Sequence, residues 1–123
     1  MPRWPIALAL LTATILVTPP HTGAAETPRV CVAVSVAASR CHRSVTFEQG
    51  RPVVLRATRP GTVWRRSPRA QRFVAVGRTD STGQWLWTPI RRDVHPAAPY
   101  TFRVTTIAGP TNNVEVWIVP RHG

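Results

Sequence analysis

Arginine is the side chain through which this sequence could do chemistry. Its sixteen basic residues are all arginine, set against five acidic residues, for a formal net charge of +11. Arg65, Arg66, Arg69 and Arg72 fall within eight residues, Arg56 and Arg59 precede them, and Arg91-Arg92 follows a tryptophan-rich stretch. A guanidinium is a planar fork that pairs at two points with phosphate, sulfate or carboxylate. A GC-rich genome explains arginine in place of lysine but not the scarcity of acids. The pattern suits a polyanion: an anionic cell-wall polymer such as teichoic acid, an acidic glycan, extracellular DNA or an anionic membrane surface. The alternative is a solvated surface with no dedicated ligand.

Other chemistries find little support. Glu26, Glu48, Asp80, Asp93 and Glu115 are scattered, with Glu48 and Asp80 in expected turns, so no glycosidase pair is indicated. His21, His42, His95 and His122 lie far apart. There is no G-x-S-x-G elbow, phosphate-cradling glycine loop, zinc spacing or dinucleotide fingerprint. The expectation is a protein that is not an enzyme and uses no metal or cofactor. Trp64, Trp85, Trp87 and Trp117 could form a sugar-stacking platform. Alternation instead places Trp85 and Trp87 in a core, and Trp64 inward because the other face of its strand carries Arg65. Trp117 has the opposite parity to Val114, Val116 and Ile118, which makes it the candidate exposed stacking residue, with an arginine covering it through a cation–π contact.

The elements that must position these side chains begin after a leader. Residues 1–25 read as a secretory signal peptide: Arg3 is the basic region, the twelve-residue apolar region Ile6–Val17 follows, and small residues allow cleavage after Ala24 or Ala25. Twelve residues are short of the roughly 20 a helix needs to cross a bilayer. The expected product is a secreted, extracellular domain, residues 26–123, without a membrane span and with a net charge of +10 once Arg3 is gone. Just under 100 residues suffice for one small domain. In an oxidising setting Cys31 and Cys41, the only cysteines, are expected to form a disulfide. A metal site from these cysteines and His42 lacks paired ligand spacing.

Alternation predicts strands over Val30–Ala37, Cys41–Phe47, Val53–Thr58, Thr62–Arg66, Phe73–Arg78, the Trp85–Trp87 stretch, Tyr100–Ile107 and Val114–Val119. Val53, Leu55 and Ala57 are expected to face in, with Val54 and Arg56 facing out. The polar turn Asp80–Gly83 starts a hairpin that puts Trp85 and Trp87 on one face, where a second sheet must cover them. Ile90–Pro99 has no period and reads as a surface connection. Short strands at spacings of about 8–15 residues, joined by Gly/Pro turns and with no helical period, predict an all-β immunoglobulin-like sandwich of about seven strands.

The run Gly50-x-Pro-Val-Val-Leu, then Arg59-Pro60 and Val63-Trp64-Arg65-Arg66, resembles secreted bacterial Ig-like domains, especially those of actinobacteria. The resemblance continues through Phe73, Val76-Gly77, Thr79-Asp80, Gly83-Gln84-Trp85, Tyr100-Thr-Phe-Arg103 and Asn113-Val114-Glu115-Val116. It implies stalk, spacer or adhesion modules, usually repeated in long surface proteins. This chain has one copy and its own cysteine pair, which argues against a spacer. The functional expectation is a secreted, non-catalytic binding or surface-association module acting through an arginine-rich face. The alternatives are a carbohydrate-binding module, or a small enzyme inhibitor or hydrolase; the Ser67–Gln71 loop has no nearby disulfide to brace it as an inhibitor loop.

Overall fold

The computed structural model describes residues 26–122; the signal-peptide reading of residues 1–25 lies outside them. Nine strands run in chain order: β1 (Val30–Ala33), β2 (Ser44–Glu48), β3 (Val53–Ala57), β4 (Gly61–Arg66), β5 (Val74–Arg78), β6 (Gln84–Trp87), β7 (His95–Thr106), β8 (Gly109–Pro110) and β9 (Val114–Val119). One sheet has the order β1-β3-β6; the other has the order β2-β9-β7-β4-β5, with β8 paired to β7. Every named pairing is antiparallel except β2 with β9, which is parallel. With β1 and β2 as the two halves of one split edge strand and β8 as a short hairpin extension, this is the expected all-β, immunoglobulin-like sandwich of seven principal strands.

The core follows from alternation. Val53, Leu55, Val63, Phe102, Val104, Val114, Val116 and Ile118 are fully buried between the sheets. Trp85 and Trp87 face the same way and pack on Phe102, with ring centroids 5.6 and 5.7 Å apart, while Leu86 between them is exposed. Aromatic contacts of this tilted kind add to the area they bury. The Tyr100 hydroxyl donates to the Asp93 carbonyl oxygen at 2.7 Å. This is the corner by which Ig-type sandwiches fix the turn into the strand carrying the tyrosine. Burial is the main cause that raises the Tyr100 pKa, and the neighbouring Asp93 charge adds to it.

Four expectations are corrected. The first strand stops at Ala33 rather than continuing to Ala37, and Val34 and Val36 are exposed. The chain must cross there from one sheet to the other, and the Cys31–Cys41 disulfide closes the crossing into a strap. Val54 is buried although it faces away from the core; Ala33 and Leu86 flank it, and Arg56 draws the strap against this face. Trp64 points outward, because Val63 and Arg65 share the inner parity; its indole Nε1 donates to Thr105 Oγ1 at 2.8 Å. The Ile90–Pro99 connection contains a 3-10 turn at Arg91–Asp93 and the start of β7, where His95 pairs with Ile118 before the register shifts.

The organising turn depends on one glycine. Gly83 has φ +88°, and a Cβ there would be driven into the Ala57 carbonyl oxygen, whereas Gly50 at φ +89° has open space. Gly50→Ala is expected to cost only the left-handed backbone penalty of about 1–2 kcal/mol. Gly83→Ala should cost clearly more, because the hairpin must also move away from β3. Urea midpoints of the two variants check this ordering.

Candidate anion-binding site

The strand directions sort the arginines by end. The β2–β3, β4–β5 and β6–β7 connections and the segment after β9 all lie at one end of the sandwich, which carries Arg51, Arg69, Arg72, Arg91, Arg92 and Arg121. Arg65 and Arg66 finish β4 at the same end. Of the arginines expected to form one binding surface, Arg65, Arg66, Arg69, Arg72, Arg91 and Arg92 therefore lie at the same end. Arg56 and Arg59 are not. Arg59 lies in the turn at the opposite end. The Arg56 guanidinium is engaged internally, donating to Gln84 Oε1 at 3.2 Å, Ala38 O at 2.6 Å, Val36 O at 2.7 Å and Ser35 O at 3.3 Å.

Aromatic rings fix three guanidinium groups. Arg65 turns inward and caps the cluster, with Cζ 5.3 Å from the Trp87 ring centroid and 5.5 Å from that of Tyr100. On the outer face of the larger sheet, Arg66 and Arg103 both lie over Phe73, at 5.1 and 4.1 Å. The buried Nε atoms of Arg65 and Arg103 have no hydrogen-bond partner in the protein, so the ring faces supply their main compensation. Arg103 and Phe73 were not among the expected site residues. Arg103 reads as a lone charge in an alternating strand, and only the pairing of Trp64 with Arg103 reveals its place beside β4. Trp117 faces outward and half-buried, as its parity requires, but the cation–π contacts among the described residues are to Trp87, Tyr100 and Phe73, not to Trp117.

The acids do little to offset this charge. Among the described residues the single ionic contact is Glu48 with His122 at 3.9 Å, and no described arginine has a carboxylate within 4.0 Å. Asp93 Oδ2 accepts the Ile90 backbone N–H at 2.8 Å. Asp80 accepts from Thr82 Oγ1 and from the Thr82 and Gln84 backbone N–H groups, and these bonds hold its pKa below the ordinary carboxylate value. Among the described residues there is no group of three potential metal ligands, and no helix is long and apolar enough to cross a membrane. Comparison with protein-family models, curated proteins and solved structures finds no match to this chain.

Proposed function

We propose that this protein is a secreted, non-catalytic Ig-like domain that binds an anionic polysaccharide through the arginines at one end of its sandwich. The observation that carries this reading is that these guanidinium groups are collected by the fold and left without carboxylate partners. Like charges gathered at one end repel one another and oppose the folded state. A polyanion laid across them removes that repulsion and releases counterions. Half-buried Trp64 and Trp117, on the outer face of the larger sheet that also bears Arg66 and Arg103, offer flat apolar surface suited to sugar rings. This favours a polysaccharide over duplex DNA, whose bases are stacked on one another inside the helix. The leader-like residues 1–25, the Cys31–Cys41 disulfide and the resemblance to secreted actinobacterial Ig-like domains support export.

Chromatography tests the proposal. The protein is expected to stay on heparin and on purified wall polymer beyond about 0.15 M salt. Arg69→Glu/Arg72→Glu, both in an exposed loop, should elute earlier with a melting temperature that is not lowered. Elution of the unaltered protein below physiological ionic strength would refute the proposal. Stronger retention on duplex DNA than on heparin would overturn the polysaccharide assignment.

A further inference from the structure

A second, concave site lies at the end of the sandwich away from the arginine loops. It opens where the chain crosses between the sheets, bounded by Arg29 and Val30, the Cys31–Cys41 disulfide, His42 and Arg43, Arg56 and the turn around Asn112, and it encloses about 680 Å³. Ligand pockets commonly span about 300–1,000 Å³. Its charged lining is Arg29, Arg43 and Arg56, with no acid.

The walls are held in place. The Asn112 carboxamide accepts from Val30 N at 2.9 Å and donates to Val30 O at 3.0 Å, tying the β8–β9 turn to β1. Val32 and His42 exchange both backbone hydrogen bonds, at 2.7 and 2.8 Å, beside the disulfide. All the hydrogen bonds of Arg56 go to neutral oxygens, so its charge is fixed in position and uncompensated. Arg29 and Arg43 are exposed and flank the opening. A concave surface lined by one sign of charge focuses its field and attracts an oxyanion more strongly than the same charge on an open surface.

We infer that this groove takes an acidic sugar: one or two sugar units whose carboxylate meets Arg29 and Arg43. Apart from the His42 imidazole no aromatic ring lines the groove, so it lacks the stacking surface that a nucleotide base would use. The inference stands apart from the polymer reading, since it uses different residues at the other end.

Titrating digalacturonic acid, its neutral dimethyl ester and inorganic phosphate against the isotope-labelled protein, followed by amide NMR, tests it. Digalacturonic acid should give saturable shifts at Arg29, His42, Arg43 and Asn112, and the ester should give none. Arg29→Ala/Arg43→Ala should weaken binding about tenfold or more, the loss expected for hydrogen bonds to a charged group. Arg69→Glu/Arg72→Glu should leave this binding unchanged, and heparin retention should weaken mainly in that second pair. No shift at these amides, equal binding of the ester, or indifference to Arg29→Ala/Arg43→Ala would overturn the inference. Equally tight binding of inorganic phosphate would overturn the sugar assignment.

Discussion

Replacing Phe102 with alanine is expected to cost about 3–5 kcal/mol, the range for a fully buried aromatic. A domain of this size is stable by about 5–15 kcal/mol in total, so the loss takes a large share of its stability. Phe102 has no exposed surface and sits on β7, the strand between β9 and β4. It meets Trp85 and Trp87 from the opposite sheet, and Trp87 also meets Tyr100 edge-on at 5.1 Å. Removing the ring leaves both indoles facing a cavity that β-strands paired on both sides cannot close. Trp117→Ala, on the outer face, should cost less than half as much despite the larger side chain. Urea denaturation compares the two, and a Trp117→Ala cost equal to that of Phe102→Ala would contradict this account of the core.

Opening the Cys31–Cys41 disulfide, as Cys31→Ser/Cys41→Ser, should lower stability by about 2.5–3 kcal/mol, the chain-entropy value for a loop this short. Arg56→Met keeps the apolar stem but removes the donors to Ser35, Val36 and Ala38, and hydrogen bonds from a charged group are worth about 1.5–3 kcal/mol. Because the disulfide and the guanidinium hold the same strap, their effects should not add. Once the disulfide is gone the strap is free to leave, and the further cost of Arg56→Met should shrink. A double-mutant cycle measured by urea denaturation reads the coupling. Simple additivity would mean that the two hold the strap independently.

Local pattern was legible where neighbours in sequence decided the outcome. Trp85 and Trp87 share a face because strand parity allows nothing else, and Trp117 turns outward for the same reason. Pattern failed where a distant residue decided. Alternation through Val36 cannot reveal a crossing between sheets, which is imposed by the disulfide partner and by Arg56 from β3. Trp64 was expected inward on the premise that Arg65 could not be. A long aliphatic stem with two rings beneath its guanidinium makes the inward arginine tolerable. The basic end formed from loops far apart in the chain, so Arg65–Arg72 and Arg91-Arg92 were readable as clusters but not as neighbours. Arg56 was readable as a charge, but its carbonyl partners were not. The groove beside the disulfide left no signal in sequence, because Arg29, Arg43 and Asn112 meet only once β1, β2 and β9 are assembled.

The salt dependence of binding to a labelled heparin fragment tests the central claim most directly. Each polymer charge neutralised by an arginine adds about one unit to the slope of log K against log salt. The account predicts a steep negative slope that loses about two units in Arg69→Glu/Arg72→Glu. A slope near zero, or one that the double substitution leaves unchanged, would contradict it.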